Sequence, residues 1–293
     1  MRIVITGSES FVGKELIEQC KQKKIEVIGL DIIQKENSDY EYHQVDIKSS
    51  EIIKYILDGS DAIIHLAALS RDPDCKGKAY ECFDNNVMGT LNLIKCALKK
   101  NVKQFIFASS EWVYDEFVEE QSKDEDYPIN SLNLTSEYAL SKLTSEINLR
   151  QQYLNGSCDT TILRFGIIYG PRRANWSAVE AIASQVKNKN EIEIMSLKNG
   201  RRFIHVSDIA KGIIKSIGLK GLNTINLSGD KIITIDDLIK ECEKFYNKKI
   251  KVMEKNPNQK NIRNPSNDKA KRLLNWSPEI GLADGLKTID RFL

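Results

Sequence analysis

A chain of 293 residues, 41% hydrophobic and 29% charged, has room for one large or two smaller domains with a full core, and its composition excludes a disordered or collagen-like chain. Lys and Arg total 43 against 41 Asp and Glu, and the resulting +2 is too weak a field for nucleic acid or an anionic membrane to be the main partner. Six cysteines without zinc-ligand spacing, no signal-peptide pattern in MRIVITGSES and no bilayer-length apolar run point to no metal site and a reducing cytoplasm.

In chain order, RIVIT predicts a first strand and is followed by an amphipathic stretch to Lys24. The strands IEVIGLD, YHQVD and DAIIHLAAL come next, the rhythm of a parallel sheet with crossover helices. Between about Lys78 and Lys100, Val87, Leu91, Ile94 and Leu98 recur at helical spacing and predict one buried face, with Asn101 ending the helix. VKQFIFASS predicts the next buried strand, Thr135 to Leu154 a helix, and TTILRF a sixth strand. The fold class is therefore α/β, a doubly wound parallel sheet of the Rossmann type. Beyond Gly170-Pro171 the pattern loosens into shorter elements and a Lys- and Asn-rich stretch near Asn247 to Asn267. Residues 1–165, with a return segment near 203–218, are expected to form the dinucleotide-binding domain, and residues 166–293 a smaller, partly interleaved substrate lobe. Ligand is expected between them.

TGSESFVG, Thr6 to Gly13, follows a strand and opens a helix, the context of a dinucleotide-binding turn. Gly7 permits the tight turn and Gly13 close helix packing, and the helix opening at Phe11 and Val12 offers N–H groups and a positive dipole end to a pyrophosphate. Ser10 stands where such loops usually carry a second glycine, so its Cβ is expected to crowd the phosphate or a left-handed backbone and to weaken or shift binding. Asp31 closes the second strand 24 residues after Gly7. There a carboxylate accepts hydrogen bonds from an unmodified ribose and repels a 2′-phosphate. No arginine follows in Ile32, Ile33 and Gln34, which favours NAD over NADP. Alone, Asp31 would read as a strand-end turn cap, and the Gly7 loop is what makes it a ribose ligand.

Tyr138 and Lys142 lie four apart in a helical stretch, so both project from one face. Ser109-Ser110 ends a strand 28 residues before Tyr138, where strand C-termini line the ligand crevice of such a sheet. A phenol of ordinary pKa about 10 becomes a usable base if the lysine ammonium and a cationic nicotinamide favour its phenolate. Ser110 would hold the reacting hydroxyl or ketone.

With these residues the chain resembles the extended short-chain dehydrogenase/reductases, the NAD-dependent epimerase/dehydratase family that works on nucleotide-activated sugars. The resemblance runs nearly end to end: TGSESFVG, Asp31, VDI, HLAA, NVMGT, ASSEWVY, YALSK, LRFGIIYGPR, RRFIHVSD and KAKRLLNW, in that order. It implies NAD as cofactor, a nucleotide-diphosphate sugar as substrate and Ser110, Tyr138 and Lys142 as catalytic trio. It further implies that Asp46 and Ile47 flank the adenine, that Leu66, Ala67 and Ala68 line the cofactor with Ile32, Ala108 and Phe165, and that Asn86 supports the lysine or the ribose. Arg201 and Arg263, with Arg172 beside them, match arginines that grip the diphosphate, a task suited to a planar fork of donors. Helix pairs around 78–100 and 135–154 would form a homodimer interface. His65 and His205 read as core histidines, Cys20 and Cys96 as core-facing, Trp276 as packing the small lobe, and Lys248 to Lys260 as solvated surface.

Departures from the family pattern bear on the reaction. Relatives that dehydrate across C5 and C6 carry Asp or Ser and then Glu directly after the catalytic Ser or Thr, the Glu acting on the C5 proton, whereas here the order is Ser110-Glu111-Trp112, with Glu111 a candidate acid or base and Trp112 unable to take that proton. Ile167 stands where many relatives carry an asparagine against the diphosphate. An epimerase returns its hydride and can keep one NAD bound, which suits Asp31. A sugar-nucleotide 4-epimerase is therefore the leading expectation. Behind it stand a 4-ketoreductase or 4-dehydrogenase, then a 4,6-dehydratase or decarboxylase, and last a non-catalytic NAD(H) sensor.

Overall fold

The protein is described by a computed structural model, covering residues 1–114, 117 and 121–293. Six of the strands of a seven-stranded sheet are those expected: β1 (Arg2–Thr6), β2 (Glu26–Asp31), β3 (Glu41–Gln44), β4 (Ala62–His65), β5 (Gln104–Ser110) and β6 (Asp159–Phe165). The order is Leu222–Leu227, β6, β5, β4, β1, β2, β3, with parallel pairing throughout from β5 to β3. The order in which strands are added across the sheet reverses between β1 and β4, the switch point at which doubly wound sheets bind ligand. Ile3, Val4 and Ile5 are fully buried, as expected for β-branched residues covered on both faces of a parallel sheet. The seventh strand, LNTINL, was not expected, because Asn223 and Asn226 interrupt the apolar run that marks a buried strand.

Helix α1 (Phe11–Gln22) comes after the first loop, α2 (Gly89–Lys99) precedes β5, and α3 (Glu137–Leu154) precedes β6. The single helix expected over Lys78 to Lys100 is instead Ala79–Phe83, a π-helical turn at Asp84–Met88, and α2. A π turn inserts an extra residue into the ladder and rotates the helical residues beyond it. Within α2, Leu93, Ile94 and Ala97 face the core, while Leu98, expected inside with Ile94, is 41% exposed. Asn101, after α2, takes a left-handed φ of 49°.

The chain divides into two compact units. The first is Met1–Asp115, Pro128–Arg164 and Ala210–Ile225, and the second is Glu116–Tyr127, Phe165–Ile209 and Asn226–Leu293. The core of the first gathers Val4, Ile28, Leu30, Ile63, Phe105 and Phe107 with Leu93 and Ile94 of α2 and Leu149 of α3. In the second, Ile167–Tyr169 pairs with Phe203–His205, and Glu191–Ile194 with Lys251–Glu254, both parallel, while Gly200–Arg201 pairs antiparallel with Ile233–Thr234. Helices Ala178–Asn188 and Ile235–Phe245 each start at a capping box, Ser177 with Glu180 and Thr234 with Asp237. They enclose Tyr169, Val179, Ile182, Leu238, Ile239 and Leu286.

The core residues read as structural have structural partners. His65 is buried between the Thr6 and Thr90 hydroxyls at 2.8 and 3.0 Å, and burial, aided by the Lys142 ammonium, pushes it down to about 3. His205 meets Thr288 Oγ1 at 3.1 Å, and Trp276 Nε1 donates to Asp208 O at 3.0 Å. Cys20 and Cys96 are buried, and Lys255 and Lys260 are exposed.

Candidate active site

In the first unit the loop after β1 takes its shape from two glycines. Gly7 has φ +69°, and a Cβ there would lie 2.7 Å from Ala67 N; a Cβ on Gly13 would lie 2.3 Å from Gly7 O. Only glycine lets the loop lie against the residues after β4 and lets α1 start flush with the sheet. Ser10 corrects one expectation. Its φ is −68° and ψ 167°, ordinary extended backbone, so no glycine is needed for conformation, and its hydroxyl caps α1 by accepting from Gly13 N at 3.1 Å. Phe11 and Val12 begin the first turn behind it.

Asp31 ends β2 with both carboxylate oxygens held by backbone, Oδ2 by Glu9 N at 2.9 Å and Oδ1 by Ile33 N at 3.2 Å. Ile32 is exposed beside it, and Leu66, Ala67 and Ala68 are half-buried after β4. Asp46 is exposed, its Oδ1 accepting from Lys48 N at 2.8 Å, whereas Ile47 is buried at 5% exposure against Gly89 and belongs to the core. A half-buried carboxylate beside the first turn of a helix is the donor and acceptor set that suits a ribose diol and a pyrophosphate, so these residues fit a dinucleotide.

Ser110 closes β5, where its Oγ accepts from Trp112 N at 3.3 Å and starts the turn Glu111–Val113. Ser136 caps α3 by accepting from Ala139 N at 3.2 Å, which places Tyr138 in the first turn and Lys142 in the next. Both are buried. The Lys142 ammonium donates to Ala108 O at 2.8 Å and lies 5.9 Å from the Tyr138 ring centroid. Tyr138 shares a cluster with Cys75 and Cys82, against which Leu69 and Trp112 pack. Glu111 is buried at 1% exposure.

Burial dominates the electrostatics of this cluster. It pushes the Tyr138 phenol up to about 12, with the Ser110 hydroxyl pulling the other way, and pulls the Lys142 ammonium down to about 8 against the opposing pull of Cys82, Cys75 and Glu146. The residues alone therefore hold a neutral phenol at neutral pH. The phenolate expected from a neighbouring lysine needs more positive charge than Lys142 delivers from this position.

Asn86, expected to support the lysine or the ribose, lies behind Lys142. Its side chain is buried and binds backbone and helix: Oδ1 accepts from Leu69 N at 2.8 Å, and Nδ2 donates to Leu69 O and to Ser141 Oγ, both at 3.0 Å. It straps the segment after β4 to α3 one residue before Lys142. Behind Ser110, Ser109 donates to Glu146, and Glu146 receives Arg164 Nε at 3.0 Å and Nη2 at 2.7 Å, with both charged side chains only 6% exposed. Ser109, Ser141, Glu146 and Arg164 were not singled out from sequence. For Glu146 a signal existed, since Tyr138, Lys142 and Glu146 repeat every four residues on one face.

In the second unit, Gly200 and Ile262 form a parallel bridge that brings Arg201 and Arg263 side by side. Arg201 Nη1 donates to Gly200 O at 2.7 Å and Asn261 O at 2.6 Å, and the Arg263 guanidinium lies 5.0 Å from the Phe117 ring centroid. Arg172 stands apart from them in its bonding: Nε meets the fully buried Glu180 at 2.7 Å and Nη2 donates to Ile168 O at 3.1 Å. That pairing ties the strand Ile167–Tyr169 to the helix at Ala178 and makes Arg172 a structural residue. Phe165 is buried at the end of β6. Among the described residues, no group of three or more His, Cys, Asp or Glu is placed to hold a metal, and no helix is long and apolar enough to cross a membrane.

The model of the NAD dependent epimerase/dehydratase family matches residues 3–226. A UDP-glucuronate 4-epimerase of Thermodesulfobacterium geofontis is 28% identical over 97% of this chain and 93% of its own length. UDP-glucuronic acid decarboxylase 1 of Arabidopsis thaliana is 27% identical over 98% of this chain and 68% of its own. Among solved structures, UDP-glucuronic acid 4-epimerase from Bacillus cereus, in complex with UDP-glucuronic acid and NAD, superposes with a TM-score of 0.86 at 25% identity, covering 100% of this chain and 98% of the other.

Proposed function

The chain belongs to the NAD dependent epimerase/dehydratase family, and from that premise we propose that it is a nucleotide-sugar 4-epimerase in which Tyr138 moves the proton of the sugar C4 hydroxyl. Bound NAD supplies a hydride acceptor at its nicotinamide and, with it, a positive ring. Tyr138 accepts the hydroxyl proton as its base and returns it to the same oxygen in the opposite configuration. Ser110 holds that oxygen during the exchange. Lys142, anchored on Ala108 O at 2.8 Å, contributes positive charge near the phenol and keeps its ring face fixed. Burial favours the neutral phenol and works against the Lys142 ammonium, so Tyr138 serves as base only in the phenolate form, which the positive nicotinamide of bound NAD would favour.

The observation that carries epimerisation is at Trp112. Dehydration across C5 and C6 needs a carboxylate near the sugar in addition to the tyrosine. At this position an indole instead packs against the Tyr138 cluster. Glu111 is left as the candidate second acid or base. The names of the relatives, 4-epimerases of UDP-sugars together with a UDP-glucuronic acid decarboxylase, support a nucleoside-diphosphate sugar as substrate. Arg201 and Arg263 are assigned to its diphosphate, and Arg172 is left to the fold.

A homodimer is part of the proposal. On α3, Leu140, Ile147 and Leu154 recur every seven residues and are 39%, 60% and 62% exposed, and Met88 and Leu98 are exposed on the neighbouring helical stretch. Such an aligned apolar face suits helix-on-helix packing between two copies. The six free cysteines are in keeping with a reducing compartment.

The test is product mass after incubation with a panel of nucleotide sugars and NAD, the panel first narrowed by which sugar raises the melting temperature. An unchanged mass with a new C4 configuration supports the proposal. A shift of two mass units means net redox, and loss of water or carbon dioxide means dehydration or decarboxylation; each of these overturns it.

A further inference from the structure

The Ile32–Gln34 stretch after Asp31 lacks a cation, but the next residue is Lys35, and the structure shows what holds it. Its ammonium lies 2.8 Å from Glu9 Oε1, with the Glu9 side chain only 9% and the Lys35 side chain 27% exposed. Tyr40 OH donates to the same Glu9 oxygen at 2.6 Å, and Lys35 Nζ sits 4.6 Å from the Tyr40 ring centroid and 5.7 Å from that of Tyr42. The Tyr40 ring is itself seated over Gly29, where a Cβ would come within 2.4 Å of it. Glu9 therefore carries two hydrogen-bonded partners, and Lys14 Nζ approaches its other oxygen at 3.5 Å. The backbone of the same residue donates to Asp31 Oδ2 at 2.9 Å. Ion pair and ribose carboxylate are thus adjacent through one residue of the phosphate loop.

We infer that Glu9 sets the coenzyme selectivity of this chain: by pairing with Lys35 beside Asp31, it withholds an ammonium that a 2′-phosphate on the adenosine ribose would engage. The inference takes the dinucleotide site at Asp31 as given and does not depend on the identity of the sugar reaction. Its logic is charge. As built, Lys35 and Lys14 are answered by the carboxylates of Glu9 and Asp31, and a phosphate dianion arriving there would meet no net positive charge. With Glu9 uncharged, the Lys35 ammonium remains close by on a flexible stem and has lost its anionic partner, and phosphate is a strong replacement. The ring contacts to Tyr40 and Tyr42 would keep it near. A partly buried pair with hydrogen bonds satisfied is also harder to break than a solvated one, so Lys35 does not exchange Glu9 for a phosphate unaided.

Glu9→Gln is the variant of choice, since the amide oxygen can still accept from Tyr40 while the charge is gone. Calorimetric titration of the purified protein with NAD+, NADP+, 5′-AMP and 2′,5′-ADP gives the readout without any turnover. The expected result is a fall of about tenfold or more in the ratio of Kd for NADP+ to Kd for NAD+, with NAD+ binding within about threefold of wild type and the same trend for 2′,5′-ADP against 5′-AMP. The double variant Glu9→Gln, Lys35→Met should lose that gain. Glu9→Ala carries the same expectation should the glutamine variant fail to fold, judged by its melting profile. An unchanged ratio in either folded variant overturns the inference, as does a gain in NADP+ binding that survives the loss of Lys35. Failure of the sugar reaction would leave these binding ratios untouched, so the two proposals fail separately.

Discussion

The Lys142 ammonium is bonded to the Ala108 carbonyl at 2.8 Å, two residues before Ser110 on the same strand. One hydrogen bond therefore fixes the distance between α3, which carries Tyr138, and the end of β5, which carries Ser110. The lysine holds the site together as well as charging it.

That bond is made by an amine whose burial works against its charge, and the consequence is a pH-dependent stability. Burial holds Lys142 at about 8, below the ordinary 10.5. Below about pH 8 the amine is protonated in both folded and unfolded chains, and the full desolvation penalty is present. Between about 8 and 10.5 the unfolded chain keeps a proton the folded chain has released, so the penalty is relieved as pH rises. Lys142→Met removes this ionisation. In urea unfolding at pH 7 to 10, wild type should gain roughly 2 to 3 kcal/mol relative to the variant across that range. A difference that does not change with pH would contradict the assignment.

Tyr138→Phe removes the proton carrier and little else, since the ring keeps its contacts with Cys75, Cys82 and Trp112. Turnover should fall about 10²- to 10⁴-fold. NAD affinity, measured by titration, should stay within about threefold. Retained turnover would show that another group moves the proton.

Glu146 and Arg164 form the buried pair behind Ser109. Glu146→Ala leaves the guanidinium buried beside the Tyr114 ring with its anion gone, and should cost about 3 to 5 kcal/mol in urea unfolding. Replacing both, as Glu146→Leu with Arg164→Met, should recover most of that loss. A single variant as stable as wild type would mean the pair is not the support of the β5 end that its position indicates.

Ile147 is 60% exposed in the middle of the apolar face of α3. Ile147→Glu should convert a dimer to a monomer in light scattering at micromolar concentration, with the circular dichroism unchanged. A monomeric wild type would remove the dimer from the proposal.

Much of the fold and the site is legible in the sequence, for reasons that differ from residue to residue. β1, β2 and β4 are runs rich in branched apolar residues and β5 carries Phe-Ile-Phe, all buried within the sheet, and such runs have few other solutions. Tyr138, Lys142 and Ser110 could be paired because helical spacing and strand ends are local properties. Leu98 could not be placed, because the apolar spacing around it fits more than one stripe of α2, and the buried stripe runs through Leu93, Ile94 and Ala97. The strand Leu222–Leu227 was hidden by two asparagines. For Ser10 the left-handed alternative falls away, since its neighbours in sequence do not reveal the sign of its φ. Arg172 reads as a ligand-side residue, but Glu180, the carboxylate that engages it, is unremarkable in sequence, and Leu69, which binds Asn86, carries no signal either. Lys35 lies one residue beyond the Ile32–Gln34 stretch, and its pairing with Glu9 spans two loops that sequence spacing does not connect.

The central claim is that the chain inverts C4 and returns the hydrogen it removed. The most direct measurement is product analysis by mass spectrometry and NMR after turnover of a UDP-sugar, UDP-glucuronic acid or UDP-glucose, carrying deuterium at C4. The expected product has unchanged mass, is inverted at C4 and keeps the deuterium on that carbon. Deuterium lost from C4, a product lighter by carbon dioxide or water, or reduced cofactor accumulating in step with product would contradict it.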